Sequence, residues 1–235
     1  MPIFFGYYNL LYFVFGLPAL LLAFYAQFKV KSAYSKYSKI ANDRGLTGVD
    51  VARELLGANG LSYVNIEGTP GQLTDHYDPR SKVLRLSVGV GRSASVAAMG
   101  IVAHEVGHAT QDATGYLPLR LRSSIVPAVS IGSYLGPILF MIGLLFNSYN
   151  LAVAGVIFFA AAAVFAIITL PVEINASQRG LRMLQTNGLI VSESEARGVK
   201  SVLSAAALTY VAAVAQALSQ LLYYVFLLSG MRRRD

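Results

Sequence analysis

The sequence of 235 residues contains no cysteine. This absence excludes disulfide bonds, thiol catalysis and zinc sites with sulfur ligands. A metal site in this chain therefore has to be built from histidine, aspartate or glutamate side chains.

Charge is also scarce, since 13% of the residues are charged whereas a soluble domain usually has about 25%. Residues 1–28, 123–172 and 201–231 contain no charged residue, so all 19 basic and all 12 acidic residues lie in the other segments. This distribution excludes an ordinary soluble protein, an intrinsically disordered chain and a nucleic-acid binder with a basic surface throughout. It predicts an α-helical multi-pass membrane protein with one small soluble domain.

The uncharged stretches predict the membrane segments, because a membrane helix needs about 20 mostly apolar residues. Residues 1–28 form the first. Residues 123–172 form a hairpin of two helices, near 125–146 and 151–171, because the turn-forming residues 147–150 interrupt them. Residues 201–231 form a fourth helix, transmembrane or membrane-associated, followed by a basic tail at 232–235.

The basic residues predict the orientation. Residues 29–122 hold 12 lysines and arginines, residues 173–200 hold 4, and the tail holds 3. The positive-inside rule therefore places both charged segments on the cytoplasmic side. Residues 29–44 have helical periodicity and predict a helix that continues the first span, either along the membrane surface, with its lysines toward anionic headgroups, or over the soluble core.

The pattern of the soluble segment 29–122 indicates an α+β domain. Thr47 and Asp50 fit a capping box for a helix that stops near Gly57 or Gly60. Residues 61–67, 73–77 and 83–88 are predicted as strands, and the last is expected to pair with an extended substrate by edge addition. A helix is predicted from Ser93 onward.

That helix carries the sequence His104-Glu105-Val106-Gly107-His108. Residues four apart share one helix face, so both imidazoles can bind a single Zn²⁺. Glu105 lies beside them and can reach a metal-bound water without binding the metal. The alternative is a pair of histidines on an exposed helix with a structural glutamate.

A catalytic zinc site has three protein ligands, and Glu173 is the predicted third. The 50-residue hairpin returns the chain to the membrane face where it started, close to the histidines. Glu173 follows Pro171 and is expected in the first turn of a helix that ends near Asn187. There, a carboxylate could instead simply favour the helix dipole. Asp112 is the rival ligand, although it lies on the motif helix itself.

The segments His104-Glu-Val-Gly-His-Ala-Thr-Gln111, Pro171-Val-Glu-Ile-Asn-Ala-Ser177 and Leu73-Thr-Asp-His-Tyr-Asp-Pro79 resemble the YugP-like bacterial membrane zinc metallopeptidases. The first two also resemble the gluzincin pattern of HExxH with a downstream glutamate. The resemblance implies a small zincin domain, similar to minigluzincins and to the HtpX and Ste24-type membrane proteases, in a bacterial inner membrane. The basic residues predict that this domain lies on the cytoplasmic side. The resemblance also implies zinc ligands His104, His108 and Glu173, and Glu105 as catalytic base. Those proteases often place aspartate, oriented toward a zinc histidine, where this chain has Ser177.

The predicted function is zinc-dependent hydrolysis of peptide bonds at the membrane surface, with a peptide or a membrane protein as substrate. The alternative is a zinc-binding membrane scaffold or chaperone adaptor that does not depend on Glu105. Five residues are predicted to orient the ligands or to stabilise the oxyanion: Ser177, His76, Arg179, Arg182 and Gln111. Tyr77 and Tyr116 are further candidates for oxyanion stabilisation. The ring of His76 is expected to be held by Asp75 or Asp78.

Overall fold

The computed structural model describes the backbone of residues 2–231 and the side chains of residues 13–231. The predicted basic tail, 232–235, lies outside the described residues. Within them, the elements follow in this order: α1 (Pro2–Tyr37), α2 (Gly48–Ala58), β1 (Asn65–Thr69), β2 (His76–Asp78), β3 (Val83–Ser87), α3 (Val88–Gly91), α4 (Val96–Ala113), α5 (Leu117–Leu145), α6 (Tyr149–Thr186) and α7 (Glu193–Met231).

The chain divides into two compact units. The first, which we call the helical unit, comprises the residues up to Ala26, Leu121–Leu170 and the residues from Thr209 onward. The second, which we call the site unit, comprises Gln27–Arg120 and Pro171–Leu208 and contains all three described strands. The continuous helices α1, α5, α6 and α7 have residues in both units.

Four helices are long and apolar enough to cross a membrane, judged by their length and composition. Within the described residues these candidate spans are Phe13–Tyr37, Leu117–Leu145, Tyr149–Thr186 and Glu193–Met231. They confirm the prediction of a mostly helical membrane protein with a small amount of sheet. The fourth candidate, Glu193–Met231, is long enough to cross a membrane. Each of the four helices extends beyond the uncharged stretch from which it was predicted.

The predicted hairpin is present in the helical unit. α5 ends at Leu145 and α6 begins at Tyr149, with Asn147 at a φ of 50° between them. The two helices pack closely, since a Cβ atom added to Gly143 would lie 2.4 Å from the backbone nitrogen of Ala152. Small residues permit such close packing of helices in lipid.

The prediction that a new helix begins near Pro171 is wrong. α6 runs through Pro171 without interruption, so Glu173 lies in the helix interior and not in a first turn. The pyrrolidine ring removes one backbone donor, which membrane helices tolerate when their other backbone groups remain satisfied. The glutamate therefore has no role at a helix N-terminus. The predicted end near Asn187 is confirmed, because α6 ends at Thr186 and Gly188 has a φ of +64°.

The site unit begins with helix α2, whose capping box is confirmed. The Thr47 hydroxyl accepts a hydrogen bond from the Asp50 backbone N–H, and the Asp50 carboxylate accepts one from the Thr47 N–H. The strands are displaced from two of the predictions: β1 begins at Asn65 instead of residue 61, and β2 spans His76–Asp78 instead of 73–77.

The sheet has the strand order β1-β3-β2, with β1 parallel and β2 antiparallel to β3. The expectation that residues 83–88 offer an edge to substrate is wrong, because β3 is the central strand. It pairs with β1 along residues 83–87 on one side and with β2 along residues 83–85 on the other. Its burial agrees with this position, since four of its five residues are buried, whereas β1 has none.

A core of apolar side chains fixes the motif helix. One cluster contains fully buried residues from four elements: Leu55 of α2, Leu84 of β3, Val102 and Val106 of α4, and Leu184 of α6. Burying a side chain of this size stabilises the fold by about 1.5–3 kcal/mol. α4 is thereby packed on several sides.

The continuation of α1 beyond the first uncharged stretch also packs on the site unit. Ala33 is buried with Ala97 and Val202, and Tyr34 and Tyr37 pack against the same cluster. Of the two predicted alternatives, this face of the helix covers the soluble core. The helix ends at Tyr37 and not near residue 44.

Candidate metal centre

The two motif histidines lie one turn apart on α4. Ser95 caps this helix, because its hydroxyl accepts a hydrogen bond from the Ala98 backbone N–H. The rings of His104 and His108 are 4.7 Å apart between centroids and meet edge to face. Their side chains retain 15% and 12% exposure, so both are largely enclosed.

Glu173 of α6 completes the cluster. Its Oε2 atom lies 3.2 Å from Nε2 of His104 and 3.4 Å from Nε2 of His108. One ligand atom from each of the three residues lies within 4.8 Å of the other two. The glutamate side chain is only 2% exposed. Its carboxylate is therefore held next to the histidines by the packing of α6.

Close contact between α4 and α6 makes this arrangement possible. A Cβ atom on Gly107 would lie 2.3 Å from the Ala176 carbonyl oxygen, and one on Gly180 would lie 2.5 Å from the Ala103 carbonyl oxygen. Any larger side chain would therefore force the helices apart. Gly107, the second of the two residues between Glu105 and His108, is required by the contact with α6.

The other ring nitrogen of His108 is held by Gln111, which is fully buried. The Gln111 Nε2 group donates to the Val172 carbonyl oxygen at 2.8 Å and to Asn175 Oδ1 at 3.0 Å. This orients its Oε1 toward the imidazole, where it lies 3.0 Å from Nδ1. Nδ1–H of His108 therefore donates to Gln111, and the Nε2 lone pair is left facing Glu173.

His104 is held differently. Its Nδ1 lies 3.0 Å from the Ser177 hydroxyl oxygen. A hydroxyl can accept the ring N–H, as aspartate does, but it carries no charge. The two histidines thus have unequal supports, because the Gln111 amide oxygen can only accept from His108, whereas the Ser177 hydroxyl can either accept from His104 or donate to it.

Arg179 extends the support of His108 by one more hydrogen bond. Its Nε donates to Asn175 Oδ1 at 2.8 Å, its Nη1 donates to the Thr114 hydroxyl at 3.2 Å, and its guanidinium lies over the Tyr116 ring. The arginine therefore acts on the site through Asn175 and Gln111.

Glu105 is buried, with 8% exposure, and stands outside the three-residue cluster. Its Oε2 accepts a hydrogen bond of 3.0 Å from the backbone N–H of Tyr77 on the edge strand β2. Burial raises the pKa of the Glu105 carboxyl, and the neighbouring His104 and His108 oppose that rise. A carboxyl with a raised pKa is suited to accept and return a proton near neutral pH.

The remaining predicted residues have other contacts. His76 is exposed, and its Nδ1 is 2.8 Å from the Thr74 carbonyl oxygen. The expectation that Asp75 or Asp78 holds its ring is wrong, because Asp75 accepts hydrogen bonds from Ser87, and Asp78 accepts one from Ser81.

Asp112, the rival ligand, is not part of the cluster of His104, His108 and Glu173. It accepts hydrogen bonds from the Tyr77 hydroxyl, at 2.7 Å, and from Lys82. Burial and this contact with Asp112 raise the pKa of the Tyr77 phenol. Tyr77 contacts the site through its backbone N–H, which donates to Glu105. Arg182 is an exposed residue of α6.

Three residues of the site, Gly107, Gly180 and Asn175, were not identified from the sequence. The glycines had a signal, since Ala103 and Gly107 on α4, and Ala176 and Gly180 on α6, form two small-x-x-x-small pairs that permit helices to touch. Asn175 had none, because its role depends on which buried amide it faces.

The donor set fits zinc. Two neutral imidazole nitrogens and one carboxylate, each oriented by a second hydrogen-bonding group or by burial, are the ligands of catalytic zinc in peptidases such as thermolysin. A site of this composition, beside a buried glutamate, defines the class of zinc-dependent hydrolases.

Comparison with known proteins agrees with this class. Residues 12–229 match the family described as "Putative neutral zinc metallopeptidase". The chain is 48% identical over 211 residues to the "Putative membrane protease YugP" of Bacillus subtilis (strain 168), covering 90% of this chain and 93% of that protein. No solved structure matches the chain. The chain belongs to this family of zinc metallopeptidases, and zinc is its cofactor.

Proposed function

We propose that the protein is a zinc-dependent endopeptidase that hydrolyses peptide bonds of peptides or membrane proteins at the cytoplasmic surface of a bacterial inner membrane. The observation that carries this proposal is the meeting of Glu173 with both motif histidines while Glu105, next to His104 in sequence, stays outside the cluster. The distribution of basic residues supports the cytoplasmic side.

In the proposed site His104, His108 and Glu173 hold the metal. When bound, zinc polarises a substrate carbonyl and lowers the pKa of a coordinated water toward about 7. The chain's own contribution is the orientation of the ligands. Gln111 keeps the proton of the His108 imidazole on Nδ1, Ser177 contacts Nδ1 of His104, and the helix contact at Gly107 fixes Glu173.

Glu105 is the proposed general base. The Tyr77 N–H bonds Oε2, so that Oε1 takes the proton from the attacking water and returns it to the leaving amine. In the proposed domain organisation, residues 29–122 carry the base and two ligands, and residues 173–200 carry the third ligand. Residues 1–28, 123–172 and 201–231 anchor both in the membrane. His76 and Arg182 stay predictions as oxyanion donors.

Replacement of the base tests the proposal. Glu105→Gln keeps the side chain's size and removes its basicity, so zinc content should be unchanged and cleavage of labelled casein should fall about 100-fold or more. The partly exposed Glu54, which pairs with Arg44, provides the control Glu54→Gln. Native-rate cleavage by Glu105→Gln would contradict the mechanism.

The non-proteolytic scaffold is a distinct outcome of the same experiment. It predicts that the wild-type protein, loaded with stoichiometric zinc in a membrane, cleaves neither casein nor itself. Membership of a peptidase family and the buried Glu105 favour the enzyme.

A further inference from the structure

A polar groove lies in the site unit between the C-terminal part of α1 and the N-terminal part of α7. Its volume is about 310 Å³. Its polar lining consists of Lys29, Ser32, Lys36, Tyr37, Ser201 and Ser204. The groove shares none of these residues with the metal centre, and the proposed hydrolysis makes no use of it.

The two segments that form the groove carry charge of one sign. Residues 29–39 contain four lysines, residues 196–208 contain Arg197 and Lys200, and neither segment contains an aspartate or a glutamate. Glu193, one turn before, pairs with Arg197. A concave surface lined by one sign of charge raises the local concentration of the opposite ion, so the groove favours an anion.

The lining also supplies neutral donors. Ser32 and Ser204 are exposed, and the Ser204 hydroxyl donates at present to the Lys200 carbonyl oxygen within its own helix. The floor is formed by the buried Ala33 and Ala205. Hydroxyl and ammonium donors around a small-residue floor match the oxygen atoms of a phosphate group.

The position of the groove along the two helices indicates where such a phosphate comes from. The uncharged stretch of α1 ends at Phe28, immediately before Lys29, and that of α7 begins at Ser201, immediately after Lys200. Residues at the ends of a membrane span lie at the level of the lipid headgroups. Each basic residue close to an anionic membrane surface contributes about 1 kcal/mol to binding.

We propose that this groove binds the phosphate of an anionic phospholipid headgroup, with Lys29 and Lys36 as its cationic donors. The bound lipid joins the ends of α1 and α7, both of which pack on α4 through Ala33, Ala97 and Val202.

The test compares two double variants with the same loss of charge. Lys29→Gln with Lys36→Gln removes the lysines of the groove, whereas Lys31→Gln with Lys39→Gln removes two exposed lysines of the same segment that do not line it. The full-length protein, purified in a neutral detergent, is titrated with phosphatidylglycerol or phosphatidylcholine, and retained lipid is measured by native mass spectrometry.

The wild-type protein should retain phosphatidylglycerol in preference to phosphatidylcholine. The groove variant should bind it about 10- to 30-fold more weakly, as expected from two lysines at about 1 kcal/mol each, and the control variant should lose less than about 3-fold. Ser32→Leu keeps every charge but narrows the groove, so it should also weaken retention and serves if the double variant fails to fold.

Equal losses in the two double variants would overturn the proposal, because general surface charge would then suffice. Equal retention of the two lipids by the wild-type protein would also overturn it. Binding of inorganic phosphate without lipid, tighter than about 1 mM, would overturn the lipid assignment in favour of a free anion.

Discussion

The two histidines of the metal centre are supported by regions of different construction. His104 contacts one serine hydroxyl, which can rotate and can either donate or accept. His108 contacts an amide that is fully buried and fixed by two further acceptors, one of which is also held by Arg179. An imidazole with a fixed acceptor has one tautomer and one orientation, so the His108 side is the more rigid half of the site.

The contact between α4 and α6 is common to both sides, and its loss should have the largest effect. Gly107→Ala places a methyl group against the Ala176 carbonyl, so the helices must separate and Glu173 must move from both imidazoles. We expect a loss of about 1–3 kcal/mol in the free energy of unfolding, together with loss of stoichiometric zinc, measured by thermal unfolding and metal analysis.

Gly57→Ala provides the matched control, because open space surrounds Gly57 near the end of α2. This change should leave zinc binding intact and stability equal or higher, by up to about 1 kcal/mol. Full zinc occupancy in Gly107→Ala would show that the close contact is not needed to build the site.

Unequal supports predict unequal losses of zinc affinity. Gln111→Leu leaves the His108 N–H and the Val172 carbonyl without their buried partner and should weaken zinc binding about 10- to 100-fold. Ser177→Ala should weaken it less than about 10-fold, because water can replace the hydroxyl beside the partly exposed His104. Competition with a chromophoric chelator measures both.

Ser177→Asp sharpens the same comparison, because a charged acceptor strengthens a hydrogen bond from the imidazole. It should bind zinc more tightly than the wild-type protein. Equal losses in Gln111→Leu and Ser177→Ala would show that the two supports do not differ.

Asp78 lies outside the residues that support the histidines, so its replacement should affect only the stability of the fold and should have the smallest effect. Hydrogen bonds from the Ser81 hydroxyl and the Arg80 N–H, and the nearby Arg85, lower the pKa of Asp78. The folded pKa lies below the unfolded value of about 3.9. The stabilisation is therefore present above that pH and is lost as the pH falls through the folded pKa.

Asp78→Asn should lower the unfolding temperature at pH 7 by about 1–3 °C. The difference from the wild-type protein should narrow as the pH falls below about 4, and zinc affinity at pH 7 should not change. Circular dichroism melts at several pH values provide the measurement. A gap that widens in acid would contradict the sign.

Much of the fold was predictable because its signals are local. The capping box at Thr47, the turn at residues 147–150 and the long apolar helices were each predicted from neighbouring residues, and each is present in the structure. The central position of β3 was not predictable in this way, because strand order depends on pairing between distant residues. Pro171 misled because its effect on a helix depends on the surroundings of the helix.

The candidate site divides similarly. His104 and His108 follow from a spacing of four residues, and Glu173 from the return of the chain through the hairpin. The support of His108 by Gln111, Asn175 and Arg179 depends on the packing of α4 against α6 at Gly107 and Gly180. Glycine is also favoured in turns and at helix ends, so its presence in a sequence does not by itself indicate a contact between two helices.

Anomalous diffraction at the zinc edge, from crystals of the zinc-loaded protein, tests the central claim most directly. The account predicts one peak bonded to Nε2 of His104, Nε2 of His108 and a carboxylate oxygen of Glu173, each at about 2.0–2.2 Å. A zinc ion held by these histidines with Asp112 or another acid in place of Glu173 would contradict it.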